Sequence, residues 1–260
     1  MEGQTFLSEY MQDYQDDYIL IGGNACALQF EAIGATFRAT EDLDIVLVTE
    51  STKPEFYAHL SDFLETYGYD GKRFNGSNQG GSAYRFTLPD TSRGKGLPVQ
   101  IELFARKPEY FDEAQSTKLY ITPIEAGAGI SNFSAILLDD ETYHFILSSR
   151  VVVNGVTTVN LPCLLGLKSV AWHNNQALKD AGENISDETI FKHPADMLRI
   201  VSVLEGDEVH YPASIYDALQ QSRALLQDEN VRAMIPLSGG MDIETTRDYI
   251  ATFARQSPSA

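Results

Sequence analysis

The segment from residue 18 to 48 constrains the fold of this chain more than any other part of the sequence. A short apolar stretch at 18–21 leads into Gly22-Gly23, and residues 24–33 then follow with helical character. A second apolar stretch at 42–48 alternates with acidic residues, as a strand with one polar face does. The pattern therefore predicts a strand, a tight glycine turn, a helix and a second strand.

Two carboxylates lie on one face of the predicted second strand. Successive side chains of a strand point to opposite faces, so Asp42 and Asp44 share a face while Leu43 and Ile45 enter the core. Acids with Cβ atoms about 7 Å apart can bridge a pair of Mg²⁺ ions. An Asp-Leu-Asp segment taken alone is also typical of a solvated strand face.

The glycine turn adds a phosphate site to these acids. Gly22 and Gly23 let a ligand approach the backbone closely, and the N–H groups that open the next helix attract phosphate. Asn24 suits the N-cap of that helix, because its side chain can accept a hydrogen bond from a backbone N–H group. The order of strand, glycine turn and acidic strand predicts a metal-dependent nucleotide site.

A third acid completes such a site, and Glu102 is the best candidate. Residues 99–104 alternate so that Gln100 and Glu102 share one face of a strand. A Glu between apolar residues is costly to bury unless it is paired or bound to a cation. We therefore expect Asp42, Asp44 and Glu102 to bind metal.

Composition restricts the partners of the protein. The formal net charge is −18 over 260 residues, which disfavours an extended nucleic-acid interface. The sequence has no run of eighteen apolar residues, and its first residues lack a basic segment followed by an apolar one, so we expect a cytoplasmic protein that does not contact membranes. Cys26 and Cys163 are expected to be buried free thiols, and Trp172 is expected in the core.

The periodicity along the chain predicts an α+β protein, with a mixed sheet flanked by helices and a mainly helical C-terminal part. We place the boundary between an α/β domain, 1–160, and a helical domain, 161–260. Helices are predicted at 5–17, 54–67 and 194–204, after Pro162, and from 212 to 255 with a break at 238–240. Strands are predicted at 84–88 and 99–104, and short strands over 135–159 with a hairpin turn at Asn154-Gly155. A polar loop is expected at 174–190, and a glycine-rich loop at 75–82 is either a flap near the site or an ordinary hairpin approach.

These motifs together resemble the DNA polymerase β superfamily of nucleotidyltransferases, and most closely the AbiEii/AbiGii toxin family. The motif Arg38-x-Thr40-x-Asp42-Leu43-Asp44 follows the strand, Gly-Gly turn and helix, and the segments 161–168 and 192–198 fit the narrower match. The resemblance implies metal binding by both aspartates, phosphate contacts by the two glycines, a place for Thr40 at the nucleotide, and site roles for Lys168 and Asp196. The chain departs from the family at Lys192-His193 and at Pro194.

Two basic residues each have an alternative role. Arg38 precedes the acidic strand, where it can contact phosphate or pair with Glu31 or Glu41 at the surface. Lys168 lies among apolar residues of a helix. A role in contacting phosphate is favoured over the alternative, in which its apolar stem is buried and its ammonium group reaches the surface.

The leading functional hypothesis is an Mg²⁺-dependent nucleotidyltransferase. It would move a nucleoside monophosphate from a nucleoside triphosphate to a hydroxyl on a small molecule, a protein or a tRNA end. The family resemblance adds a toxin role and an antitoxin protein as partner. The alternatives are an inactive nucleotide-binding or regulatory module and a phosphotransferase on a related fold.

Overall fold

The computed structural model describes residues 6–48, 54–73, 83–94, 96–106, 121–123, 134–237 and 241–258. The chain divides into two compact units, Met1–Val159 and Asn160–Ala260. The predicted loop at 75–82 and the break at 238–240 lie outside the described residues. None of the helices in the described ranges combines the length and apolar character that crossing a membrane requires.

The first unit is built on a mixed β-sheet, so the chain is an α+β protein. Among the described residues nine strands join this sheet, and seven of them follow the order β3-β4-β5-β2-β1-β9-β8. β7 pairs with β5 in parallel and with β6 in antiparallel orientation. The strands are β1 (Tyr18–Ile21), β2 (Asp42–Leu47), β3 (Asp70–Arg73), β4 (Ala83–Thr87), β5 (Gln100–Arg106), β6 (Ile121–Pro123), β7 (Ser134–Leu138), β8 (Arg150–Val153) and β9 (Val156–Val159).

The helices of this unit are α1 (Gly22–Ala32), α2 (Pro54–Tyr67) and α3 (Asp140–Ser148). The predicted strand at 18–21 and the helix at 54–67 are confirmed. α3 interrupts the region in which only short strands were expected. Asp139 starts this helix, because its side chain accepts a hydrogen bond from the Thr142 backbone N–H.

The continuous helix predicted at 5–17 is wrong. The chain forms one π-turn segment at Phe6–Tyr10 and one 3₁₀ turn at Gln12–Tyr14. His59 of α2 explains the break, since its Nε2 lies 2.8 Å from the Tyr10 carbonyl oxygen. That carbonyl is thus bonded to a neighbouring helix, and the Tyr14 N–H bonds instead to Met11.

The central strands place one face in the core and leave the other polar. Leu43, Ile45 and Leu47 of β2 are fully buried, as are Ile101 and Leu103 of β5. The alternate positions of both strands carry half-buried residues in the first part of each strand. The alternation read from the sequence is confirmed, and it leaves the acidic face partly accessible.

The β8–β9 hairpin closes through Asn154 and Gly155, as predicted. Both residues have positive φ, 48° and 78°, which a two-residue type I′ turn requires. The Thr157 hydroxyl donates to the Gln15 carbonyl, and the Gln15 amide donates to the Gly155 carbonyl, each at 2.7 Å. The N-terminal segment is thereby attached to the hairpin.

The second unit consists of helices and one two-stranded parallel sheet. Asn160 caps its first helix by accepting from the Cys163 N–H. The elements in its described residues are α4 (Leu161–Asp180), α5 (Asp187–Val201), α6 (Ala213–Leu225), α7 (Glu229–Met234), α8 (Ile243–Phe253), β10 (Val209–Tyr211) and β11 (Ala254–Gln256).

Two expectations for this unit are wrong. The polar loop expected at 174–190 is helical at both ends, since α4 continues to Asp180 and α5 begins at Asp187. Ser186 starts α5 by accepting from the Thr189 N–H at 3.1 Å, so Pro194 lies inside the helix and not in its first turn. The N-cap serine marks the start of this helix, whereas Pro194 does not.

The core of the second unit contains the expected apolar residues. Trp172 is 2% exposed, and Cys163 is a buried free thiol, as is Cys26 in the first unit. Gly166 of α4 lets Ile215 and Tyr211 pack against the helix backbone, because a Cβ there would lie 2.5 Å from Ile215 Cγ2. The interior of this unit is therefore closely packed around α4.

Candidate active site

The Gly22-Gly23 turn lies directly against the acidic strand. Ile21 pairs with Asp44 in the antiparallel β1–β2 ladder, so the turn that follows β1 passes the Asp44 side chain. A Cβ on Gly22 would lie 1.9 Å from Asp44 Oδ2, and one on Gly23 would lie 2.5 Å from Thr40 Oγ1. Gly22 also has φ +76°, a conformation that favours glycine. A side chain at either position would force Asp44 or Thr40 to move, and Gly22 is also favoured by its backbone conformation.

Arg38 belongs to the same group of side chains. Its Nη2 lies 3.6 Å from the place of a Gly23 Cβ, its Nη1 donates to the Ala39 carbonyl at 3.3 Å, and its guanidinium lies 5.8 Å from the Phe37 ring centroid. The half-buried guanidinium is thus fixed beside the glycine turn. This position fits the predicted phosphate contact.

Asn24 does not cap the helix, contrary to the sequence-based expectation. α1 begins at Gly22, and Ile21 precedes it without a side-chain capping bond. Asn24 is fully buried, and its Nδ2 donates to the Asp42 carbonyl oxygen at 2.7 Å. The glycines allow the helix to begin two residues earlier than expected, so Asn24 turns inward. Its role is to attach the first turn of α1 to the start of β2.

Glu102 occupies the register position expected of a third acid. In the parallel β2–β5 ladder Asp44 lies opposite Glu102, and Asp42 lies opposite Gln100. The Glu102 side chain is 13% exposed and forms an ion pair with Arg85 of β4. β4 and β5, both predicted as strands, pair in antiparallel orientation, and their register places Arg85 opposite Glu102.

Sequence reasoning missed Arg85. A signal was present, because the alternation around buried Phe86 sends Arg85 and Thr87 to the face opposite the core. Which residue of β5 each would meet depends on the strand register, and the sequence pattern did not specify it. Asp44, Glu102 and Arg85 therefore occupy paired positions on three neighbouring strands, β2, β5 and β4.

The carboxylate groups of the site are chemically suited to bind a hard divalent cation. Asp42 and Asp44 offer carboxylate oxygens, the ligands that Mg²⁺ prefers, and the Asp44 carboxylate fills the space that a Cβ on Gly22 would take. Within the described residues no three His, Cys, Asp or Glu side chains are grouped to hold a metal ion. The residues fit a cation bound by the two aspartates, while the Glu102 carboxylate contacts a guanidinium.

Lys168 and Asp196 contact each other inside the second unit. The Lys168 ammonium lies 2.9 Å from Asp196 Oδ2, and Arg199 Nη1 lies 3.2 Å from Asp196 Oδ1. Lys168 is 5% exposed and Asp196 is fully buried, so the alternative of a surface lysine is wrong. The site roles that the resemblance implies for both residues stay predictions. Arg199 was missed, although it follows Asp196 at the helical i, i+3 spacing.

A second polar contact joins the same two helices. The Asn175 amide of α4 donates to His193 Nε2 of α5 at 2.9 Å, and His193 is 8% exposed. A buried ion pair and a partly buried hydrogen bond therefore both link α4 to α5. Because buried polar groups are costly when they lose their partners, these contacts define how the two helices pack.

Comparison of the chain with protein-family models, with curated proteins and with solved structures finds no match. A functional assignment must therefore come from the residues of the site. The clearest of these are the two glycines, which pack closely against Asp44 and Thr40.

Proposed function

We propose that this chain is an Mg²⁺-dependent nucleotidyltransferase that transfers a nucleoside monophosphate from a nucleoside triphosphate to a hydroxyl acceptor. One observation carries the proposal: the Asp44 carboxylate lies over Gly22 at a distance that leaves no room for a Cβ atom. A carboxylate beside a glycine backbone at a helix start can bind a cation and the phosphates that accompany it.

Each residue of the site has a role in this proposal. The Gly22 and Gly23 backbone at the start of α1 receives the phosphate oxygens, and Arg38 and Thr40 contact phosphate beside it. Asp42 and Asp44 hold the cation, with Asn24 fixing Asp42 through its carbonyl. Bound Mg²⁺ supplies charge neutralisation for the attacking and leaving oxygens.

The family resemblance and the net charge also support particular partners. The resemblance to the AbiEii/AbiGii toxin family, with its nucleotidyltransferase-like sheet, supports a toxin role and an antitoxin protein as partner. The net charge of −18 favours a small-molecule or protein acceptor over an extended nucleic-acid surface. A tRNA end is also included among the proposed acceptors, because a single terminal hydroxyl needs only a local contact with the protein.

Transfer of label tests the proposal. The protein is incubated with each α-labelled nucleoside triphosphate, Mg²⁺ and a cell extract, and labelled products are separated by size. The wild type should transfer label and release pyrophosphate, and Asp42→Asn/Asp44→Asn should lose at least about a hundredfold in rate. Asp217→Asn/Asp248→Asn is the matched control, since it makes the same charge change at two exposed helix positions.

A second candidate, a nucleotide-binding module without transfer, is favoured by one observation. Arg85 already contacts the Glu102 carboxylate that would complete a three-acid site. Binding of a triphosphate without transfer by either protein would support this candidate. Equal transfer by the wild type and the double aspartate variant would refute the metal assignment, and release of nucleoside diphosphate would indicate a phosphotransferase.

A further inference from the structure

Glu102 lies between a like charge and an opposite charge on neighbouring strands. In register, Asp44 of β2 is its neighbour on one side and Arg85 of β4 is its neighbour on the other. Both Nε and Nη2 of Arg85 contact the same oxygen, Oε1 of Glu102. The three side chains therefore form a row across the sheet, with Glu102 at its centre.

The two negative charges of this row, on Asp44 and Glu102, need a positive charge nearby when no cation is bound. Neighbouring strands are about 4.8 Å apart, so the Asp44 and Glu102 carboxylates repel each other across the sheet. The Arg85 guanidinium offsets that repulsion. Its side chain is 33% exposed and that of Glu102 is 13% exposed, so water screens the pair only partly.

Resting on the proposed function, we propose that Arg85 is a positioning residue that acts as the internal counter-ion of Glu102 and lowers the affinity of the site for a divalent cation. The guanidinium occupies an oxygen that a cation beside Asp44 would use, and its positive charge repels that cation. Arg85 thus makes the binding of metal alone weak.

A triphosphate reverses this effect. Its oxygens offer the forked guanidinium a second anionic partner, which suits the geometry of arginine. Arg85 can then leave Glu102 to the cation. The site consequently prefers a metal bound together with a triphosphate over the metal alone, and Arg85 is the residue that couples the two.

Metal binding measured without turnover tests the inference. Free Mn²⁺, which occupies the same oxygen sites as Mg²⁺, is counted by electron paramagnetic resonance in titrations of the full chain. Arg85→Gln should bind Mn²⁺ about tenfold more tightly than the wild type, because one nearby positive charge is removed. Arg150→Gln is the matched control; it removes an exposed arginine from β8, three strands away from β2, and should change nothing.

The coupling is measured by repeating the titration with inorganic tripolyphosphate at fixed free Mn²⁺. Tripolyphosphate should tighten Mn²⁺ binding in the wild type and do so several-fold less in Arg85→Gln. Circular dichroism verifies folding. If Arg85→Gln does not fold, Arg85→Lys is tested in its place. This variant keeps the positive charge but loses the forked guanidinium, and it should bind Mn²⁺ about threefold more tightly than the wild type.

The outcomes separate the two proposals. Absence of Mn²⁺ binding by the wild type even with tripolyphosphate and by the folded Arg85 variant, or equal binding by Asp42→Asn/Asp44→Asn, overturns the proposed metal site itself. If the wild type binds Mn²⁺ through the aspartates but the Arg85 variant that folds binds no more tightly, only the role of Arg85 is overturned. An unchanged effect of tripolyphosphate in that variant overturns the coupling.

Discussion

Replacement of Gly22 by alanine tests the geometry on which the site depends. The new methyl group would meet three atoms of one side chain, Asp44, at 1.9 Å for Oδ2, 2.8 Å for Cγ and 3.1 Å for Cβ. The two nearest distances are far inside van der Waals contact, so the carboxylate must move. Alanine must also adopt φ near +76° at this position.

The expected destabilisation is the sum of two effects. The left-handed backbone conformation costs an L-residue about 1–2 kcal/mol, and forcing an extra carbon into a packed site costs about 1–3 kcal/mol. Gly22→Ala should therefore lower the free energy of unfolding by about 2–5 kcal/mol. A typical domain is stable by about 5–15 kcal/mol, so the variant is expected to fold but with a clearly lower midpoint.

Gly34 separates the two contributions. It has φ +72° and lies in open space, because a Cβ there would meet nothing within 4 Å. Gly34→Ala should therefore show the backbone cost alone, about 1–2 kcal/mol. A double-mutant cycle gives a second estimate, since Asp44→Ala removes the two nearest atoms and should reduce the penalty of Gly22→Ala by about 1–3 kcal/mol.

Urea denaturation followed by far-ultraviolet circular dichroism measures these free energies. Trp172, the single tryptophan, reports separately on the second unit through its fluorescence. If Gly22→Ala costs no more than Gly34→Ala, the close approach of Asp44 to the turn is refuted. If the cycle shows no coupling between Gly22 and Asp44, the same conclusion follows even when the single variant is unstable.

Two further predictions concern buried polar groups of the second unit. Lys168→Met leaves the Asp196 carboxylate buried with one cation fewer, so it should lower the free energy of unfolding by about 3–5 kcal/mol. Lys168→Met combined with Asp196→Leu should recover part of that loss. Trp172 fluorescence in urea measures both variants, and an unchanged midpoint for the single variant would contradict the ion pair. Burial lowers the pKa of His173, although its hydrogen bond to a backbone carbonyl offsets part of the shift. The unfolded chain therefore takes up this proton first as the pH falls below about 6.5, so the folded state loses stability there. His173→Gln should flatten that part of the stability curve measured between pH 7 and 5, and an identical slope in wild type and variant would contradict a half-buried histidine that stays neutral.

Local patterns explain why the centre of the first unit could be predicted. Strand alternation and the demand of a tight turn for glycine act over a few residues, so β1, β2 and the Gly22-Gly23 turn follow from neighbouring letters of the sequence. The same holds for the Asn154-Gly155 hairpin, where positive φ selects the residues.

Contacts across the fold could not be predicted in this way. The bond from Asn24 to the Asp42 carbonyl depends on where α1 begins, and the helix starts two residues before the expected cap. The pairing of Glu102 with Arg85 depends on how β4 is registered on β5. A shift of one residue would send every side chain of β4 to the other face, so register decides such contacts and periodicity alone does not.

The contrast between Lys168, Glu102 and Asp44 shows what kind of evidence identifies a site. A charged residue among apolar neighbours needs a partner, but the sequence does not say whether that partner is a ligand or another side chain. Lys168 and Glu102 both contact an oppositely charged side chain, so their burial alone does not imply a ligand. Asp44 also packs against the Gly22 backbone, at a distance that leaves no room for a Cβ. Under the proposed function, this close approach places a carboxylate beside a helix start that can bind phosphate, which the sequence pattern of strand, glycine turn and acidic strand already predicted.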